Sequence, residues 1–145
     1  MSTKIFNTFV EVSDDCPTRT AVVPKPRNGA ETVATLQHRL LSEQPYRHTL
    51  EDLIFEIHLV RQGVSSDERK ARGDEIRAQL FSRAHPCMRA SPLTKSYGWG
   101  AHYDDKGRLA LVARESDGYA RLAASRDLVV VKAMRNRRGG KEPLP

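Results

Sequence analysis

Several features are scarce in this sequence, and each shortage excludes a class of protein. The only two cysteines, Cys16 and Cys87, do not form a CxxC pair, which excludes a disulfide framework and indicates reduced thiols without a structural zinc site. No apolar run approaches the roughly 20 residues that cross a bilayer. Because the first ten residues also lack the apolar core of a secretory signal, we expect a cytoplasmic protein that does not enter a membrane.

The short motifs of common catalytic and nucleotide sites are also missing. The sequence contains no GxGxxG, P-loop, HExxH or GxSxG pattern. His85 lies two residues before Cys87, but this spacing is weak evidence, and an ordinary buried cysteine is the usual outcome. We therefore expect no metal and no cofactor. Two alternatives stay open: a small enzyme that uses Cys87 or His102, and a less favoured four-ligand metal site of Cys16, His85, Cys87 and His102.

The positive charge is concentrated at the C-terminus. The formal net charge is +6, of which residues 131–145 contribute +4, so the remaining 130 residues are nearly neutral. Glycine and proline accompany these charges, and we predict a domain over residues 1–134 followed by a flexible basic tail over 135–145. Such a segment binds phosphates without reading sequence, which makes a nucleic-acid-associated protein an alternative function. The basic residues concerned are Lys132, Arg135, Arg137, Arg138 and Lys141.

The periodicity of apolar residues predicts a single α+β domain. The fractions of hydrophobic and charged residues, 39% and 29%, are those of an ordinary globular chain. The predicted order is β-α-α-α-β-β-α-β, and it favours a mostly antiparallel sheet with three to four helices packed on one face. The sheet would contain the N-terminal strand, the central hairpin and the C-terminal strand. The predicted elements are strands at 5–12 and 128–134, helices at 30–43, 50–62, 66–84 and 117–124, and a hairpin over 97–113.

The hairpin is the most sharply predicted element. Asp104-Asp105-Lys106-Gly107 separates two alternating runs, with Gly107 suited to the left-handed position of a three-residue loop. This loop fixes the register and places one apolar face toward the core. The predicted opposite residues are Asp104 and Arg108, Tyr103 and Leu109, Ala101 and Leu111, and Trp99 and Ala113. Aromatic side chains on the core face count against an RNA-binding sheet with exposed stacking platforms.

The second helix is apolar on two sides. The capping pattern of Thr49 and Asp52 predicts its start, and Gly63 predicts its end. Phe55 and Leu59 lie opposite the main apolar stripe. They are either buried or form a partner surface, and burial is the favoured interpretation.

The predicted binding site lies around the first strand of the hairpin. Gly98 and Gly100 leave a part of the sheet without side chains beside His102, and packing of a helix over them is the first interpretation. If a ligand binds there instead, the absence of acidic residues between Glu75 and Asp104 favours an anion such as phosphate or carboxylate. In that case Arg89 and Lys95 bind the charge, Ser91 donates a hydrogen bond, and His102 tunes affinity with pH. The predicted anion site is thus Arg89, Ser91, Lys95, Gly98, Gly100 and His102.

Five segments of the sequence resemble domain-of-unknown-function family 6157. They are FNTFVEVSDDCP (6–17), TVATLQHRLLSEQPY (32–46), EDLIFEI (51–57), RASPLTKSYGWGAHYDDKG (89–107) and VKAMR (131–135). The resemblance covers nearly the whole chain. It implies a compact, stand-alone bacterial cytoplasmic protein, and it implies no activity, cofactor or catalytic residue.

These features together favour a non-enzymatic binding or accessory protein with an anion-friendly site. The expected partner is a small anionic ligand or another protein. The nucleic-acid-associated protein and the small enzyme are the alternatives.

Overall fold

The computed structural model describes residues 4–137. Within them, one four-stranded sheet is accompanied by five α-helices, and none of these helices is long and apolar enough to cross a membrane. The strands are β1 (Thr8–Glu11), β2 (Trp99–Tyr103), β3 (Leu109–Ala113) and β4 (Val129–Lys132). The helices are α1 (Val33–Glu43), α2 (Leu50–Arg61), α3 (Ser66–Leu80), α4 (Pro92–Ser96) and α5 (Asp117–Ala123), and a 3-10 turn spans Met88–Ala90.

The sheet has the strand order β3-β2-β1-β4. Strand β2 pairs antiparallel with both β1 and β3, whereas β4 pairs parallel with β1. The predicted α+β class with a mostly antiparallel sheet is therefore confirmed. The predicted hairpin register is confirmed as well, because Trp99, Ala101 and Tyr103 lie opposite Ala113, Leu111 and Leu109.

Local side-chain bonds determine where the longer helices begin. The Thr49 side chain accepts from the backbone N–H of Asp52 while the Asp52 carboxylate accepts from the N–H of Thr49, which is the predicted capping pair of α2. Ser65 caps α3 in the same way through the N–H of Glu68. Helix α4 was not predicted, because five residues are too few for a helical period to be visible. Ser91 caps it, and Pro92 occupies its first turn.

The main core lies between one face of the sheet and helices α1, α2 and α4. Leu36, Leu53 and Leu93 are at most 1% exposed and pack against sheet residues such as Ala101 and Tyr103. Burying each leucine stabilises the fold by about 1.5–3 kcal/mol. The polar atom of the Tyr103 side chain has a hydrogen-bond partner, because its hydroxyl accepts a 3.2 Å hydrogen bond from the N–H of Met88. Burial raises the pKa of Tyr103 well above its ordinary value, so this hydroxyl stays neutral in the core.

The fifth helix packs on the opposite face of the sheet. The Tyr119 ring of α5 contacts the Phe9 ring edge to face at a centroid distance of 5.0 Å. Its hydroxyl accepts a 2.8 Å hydrogen bond from the N–H of Val12. This placement follows from Gly100, because a side chain there would occupy the space that Phe9 and Tyr119 fill. The sheet is thus covered on both faces.

The second apolar side of α2 is covered by α3. Phe55 and Leu59 are 6% and 5% exposed and form a separate cluster with Leu80. The favoured interpretation, burial, is confirmed. Arg69 and Arg77 of α3 stack on the Phe55 ring, at 5.6 and 5.1 Å from its centroid. Helix α3 therefore packs on α2 mainly through cationic and apolar side chains at its inner surface.

Alanine substitutions at two glycines should change the free energy of unfolding in opposite directions. A Cβ at Gly100 would lie 2.7 to 2.9 Å from ring atoms of Phe9 and Tyr119, so we expect Gly100→Ala to lower the free energy of unfolding by about 1–3 kcal/mol. A Cβ at Gly73 in α3 would meet only Arg69 Cγ at 3.8 Å, so Gly73→Ala should stabilise by about 0.5–1 kcal/mol. Urea unfolding of both variants measures the two changes. A neutral Gly100→Ala would contradict the close contact between β2, Phe9 and α5.

Candidate functional site

Arg89 lies where the 3-10 turn meets the end of β4. Its Nε donates a 2.8 Å hydrogen bond to the carbonyl oxygen of Lys132. Its own carbonyl oxygen accepts a 2.8 Å bond from the N–H of Met134. Arg89 is exposed, and the guanidinium retains two Nη groups without a described partner. The residue therefore fixes the C-terminal segment and still presents charge to solvent.

Lys95 lies beside Asn136 of the C-terminal segment. The Asn136 side-chain amide donates a 2.8 Å hydrogen bond to the carbonyl oxygen of Lys95, and the Ser96 hydroxyl donates to Asn136 Oδ1 at 3.1 Å. The predicted anion-binding pair and the predicted basic tail thus meet in space, although more than 35 residues separate them in sequence. We call this the basic surface, and it consists of Arg89, Lys95, Lys132, Arg135 and Arg137.

Two carboxylates hold the C-terminal segment in place. Asp14 pairs with Lys132 at 2.8 Å and with Arg135 at 3.6 Å. Asp15 accepts hydrogen bonds from the backbone N–H groups of Asn136 and Arg137, both at 2.9 Å. The hydrogen bond from the Asn136 N–H, helped by one from Ser13, holds the pKa of Asp15 far below its usual range. Neither the Asp14-Asp15 turn nor Asn136 was predicted as part of a site, since turn carboxylates and a single asparagine give no sequence signal.

The carboxylates compensate only part of the basic surface. Lys132, which also lies 3.4 Å from Glu11, and Arg135 are ion-paired. The charged groups of Lys95 and Arg137 form no ion pair with another residue of the 4–137 range, and Arg89 contacts only a carbonyl oxygen. Three cations of this surface therefore lack an ion-pair partner within residues 4–137. The other two predicted tail residues, Arg138 and Lys141, lie outside the described residues.

The Ser91 hydroxyl is committed to the fold. Ser91 is 4% exposed, and its hydroxyl donates to Gln37 Oε1 at 2.5 Å while accepting from the N–H of Leu93 at 3.1 Å. A hydroxyl has one hydrogen to donate. Ser91 therefore caps α4 and joins it to α1. Its hydroxyl has no further hydrogen for the hydrogen bond to an anion that the sequence predicts.

The glycines of the predicted site do not form an open surface. A Cβ at Gly98 would lie 2.7 Å from the carbonyl oxygen of Thr20, and Gly100 is covered by Phe9 and Tyr119. At Gly100, the first interpretation is therefore correct, because Tyr119 of helix α5 packs over this residue. Because side chains alternate between faces, Gly100 and His102 lie on the α5 face, whereas the turn and α4 pack on the other. The sheet thus separates Gly100 and His102 from Arg89 and Lys95.

His102 has a partner that the sequence did not indicate. Its Nδ1 shares a 2.8 Å hydrogen bond with the hydroxyl of Tyr46, which adopts a left-handed backbone with φ 59°. Burial lowers the pKa of His102 below 6.5, although the charge of Asp104 acts in the opposite direction. The imidazole is therefore preferentially neutral and bound to a phenol.

The described residues do not assemble the alternative chemical sites. The Cys87 thiol is half-buried at the edge of the main core, and its sulfur has no hydrogen-bond partner among residues 4–137. The neighbouring His85 is engaged elsewhere, since its Nε2 lies 2.6 Å from the carbonyl oxygen of Leu80. Within the same range, no group of three or more His, Cys, Asp or Glu side chains is arranged to hold a metal ion. This geometry gives Cys87 no base within hydrogen-bond distance.

Comparison with known proteins assigns the chain to a family. A family model matches residues 1–139, and its description is family of unknown function DUF6157. The chain belongs to this family. Neither a curated protein nor a solved structure matches the chain. Membership in DUF6157 confirms the resemblance seen in the sequence. Because the function of this family is unknown, the geometry of the site is the basis for a proposed function.

The two carboxylates of the Asp14-Asp15 turn have different roles that mutation separates. We expect Asp15→Asn to increase amide hydrogen exchange at Asn136 and Arg137, because it removes an acceptor oxygen and the negative charge that strengthens both bonds. Asp14→Asn is the matched control, since it weakens the ion pairs with Lys132 and Arg135 but leaves both backbone bonds intact. Equal exchange in the two variants would contradict a specific role of Asp15.

The stability of the fold should decrease in mild acid because of His102. The folded-state pKa of His102 lies below the 6.5 of the unfolded chain, so the unfolded state binds the proton first as the pH falls. The contribution of His102 to the free energy of unfolding is therefore fully present above pH 6.5. It is lost as the pH falls from 6.5 through the folded-state pKa of His102. His102→Gln should flatten this decrease in melting temperature between pH 7.5 and 5. An unchanged slope would contradict a buried neutral imidazole.

Proposed function

We propose that the protein is a non-enzymatic binding protein that holds an extended polyanion, such as a nucleic acid strand, on the basic surface. The observation that carries this proposal is the contact between the Arg89–Lys95 region and residues 132–137, which unites two groups of cations. Three of these cations, Arg89, Lys95 and Arg137, lack a carboxylate partner among the described residues. Uncompensated cations that lie together attract phosphates and release bound counterions when they bind.

The form of the surface favours an extended anion over an enclosed small one. Arg89 and Arg137 are exposed, and the predicted groups that would have enclosed a small anion, Ser91 and His102, are bonded elsewhere. An enclosed anion site needs convergent donors. Cations on an open surface instead suit a chain of phosphates, where each contact adds affinity without sequence reading.

The geometry gives less support to catalysis. No base contacts the Cys87 thiol among residues 4–137, and Tyr46 occupies Nδ1 of His102. A nucleophile and its base are recognised by a mutual hydrogen bond, and the Cys87 thiol has none within residues 4–137. Binding is the function that agrees with the described contacts.

Oligonucleotide binding at two salt concentrations tests the proposal. We expect a fluorescein-labelled, mixed-sequence single-stranded RNA to bind with an affinity that falls steeply with salt, followed by anisotropy. The triple variant Arg89→Gln, Lys95→Gln, Arg137→Gln removes up to three phosphate contacts. The slope of log affinity against log salt should become shallower by about two, at roughly 0.7 per single-strand phosphate.

The control removes the same charge elsewhere. Lys70→Gln, Arg121→Gln, Arg126→Gln changes exposed cations of α3 and the α5 region that form no ion pair with another residue among 4–137. The control variant should bind like the unmodified protein. Equal weakening in both triple variants would mean that net charge alone attracts the oligonucleotide, and absence of binding by the unmodified protein would refute the proposal. Melting temperatures identify any loss of stability, since Arg89 also bonds to Lys132.

A further inference from the structure

A groove with an apolar floor and a polar rim lies between α1, α2 and the segment that follows α3. Its volume is about 520 Å³, and α2 together with the end of α3 forms its floor. The floor residues are Leu53, Ile54, Ile57 and Leu80. Three of them, Leu53, Ile57 and Leu80, are at most 7% exposed, so the floor belongs to the packed interior and keeps its shape without a ligand.

The rim of this groove is cationic and contains no carboxylate. Arg61 and His58 of α2 lie on it together with Arg83 and His85, which follow α3, and no Asp or Glu of the 4–137 range lines it. Arg61 and Arg83 are exposed, and their guanidinium groups form no hydrogen bond or ion pair with another described residue. The other side of the α2–α3 pair differs, because Arg69 there pairs with Glu56 at 2.6 Å. Within residues 4–137, no carboxylate thus pairs with the two arginines at the groove.

The groove continues along the joint between α2 and α3. A smaller cavity of about 260 Å³ shares His58, Leu80 and Arg83 with it and extends to Ile76 and Gln79 of α3. No carboxylate of the described residues lines this second cavity. The two cavities therefore adjoin each other, and His58 and Arg83 belong to the margins of both.

We propose that this groove binds an amphipathic helix of a partner protein, with apolar residues on the floor and glutamates or aspartates against Arg61 and Arg83. Helices bind such grooves through apolar residues spaced at i, i+3, i+4 and i+7. The two guanidinium groups belong to different parts of the chain, at the end of α2 and after α3. A helix with several carboxylates can pair with both, whereas a fatty acid brings one carboxylate.

Charge complementarity also distinguishes this partner from a second copy of the chain. A second copy that presented its own groove would bring Arg61 and Arg83 against identical charges, which opposes association. None of the residues of the basic surface lines the groove. This inference is therefore independent of the proposed polyanion binding, and either can fail without the other.

A pair of designed peptides tests the proposal. The first is a fluorescein-labelled helical peptide of about 18 residues, long enough to populate a helix, with leucines at i, i+3, i+4 and i+7 and glutamates beside them. The second has lysine in place of each glutamate. We expect the full chain to bind the glutamate peptide at least about tenfold more tightly than the lysine peptide.

Charge reversal at the rim provides the matched comparison. The variant Arg61→Glu, Arg83→Glu should weaken binding of the glutamate peptide at least about tenfold and improve binding of the lysine peptide. Arg121→Glu, Arg126→Glu changes two exposed arginines away from the groove and should alter neither affinity more than about twofold. Amide chemical shift changes on peptide addition should concentrate at residues 53–62 and 80–86.

Three outcomes would overturn the inference. If neither peptide binds, or if charge reversal at the rim leaves the peptide preference unchanged, the groove does not select an acidic helix. Sodium laurate is titrated in parallel with the same amide signals as the readout. Laurate binding in the groove without peptide binding would identify a small amphipathic acid as the ligand and exclude the helix.

Discussion

Strand β1 is bonded on both of its edges, and the rest of the architecture depends on this arrangement. Its antiparallel edge receives β2, and its parallel edge receives β4. Because a buried backbone needs a partner for each N–H and C=O group, the C-terminal strand cannot leave β1 without exposing the strand that carries Phe9 and Val10. Parallel pairing also brings the chain after β4 to the end of β1, where Asp14 and Asp15 follow after Val12 and Ser13. The basic surface is a consequence of this pairing.

Prediction from the sequence succeeded where a local interaction determines the structure. The hairpin register follows from one three-residue loop, and the start of α2 follows from two side chains that bond to each other's backbone. In both cases the interacting residues lie within 14 positions of each other. The side of the sheet that α5 covers could not be predicted in this way, because it depends on whether Phe9 and Tyr119 fill the space over Gly100. That contact joins three distant segments.

The candidate site shows the same division between local and distant contacts. Arg89, Lys95 and the C-terminal cations could be selected by charge alone, but their proximity depends on the β1–β4 pairing and on Asn136. The predicted role of Ser91 as an anion donor conflicts with its role as a helix cap. A serine directly before proline at the start of a helix is a strong cap. The groove gave no sequence signal. Its two arginines lie on different segments, and only the packing of α3 on α2 places them on one rim.

Carboxylates are distributed unevenly around the α2–α3 pair. On one side of the α2–α3 pair, Glu56 and Asp52 bind Arg69 and Arg77, and these ion pairs with the stacked Phe55 hold the two helices together. On the groove side the contact between these helices includes Ile54, Ile76 and Leu80. Arg61 and Arg83 there form no ion pair within residues 4–137. Unpaired charges around an apolar surface disfavour contact between identical copies. In the proposed complex, the same charges pair with the carboxylates of the partner helix.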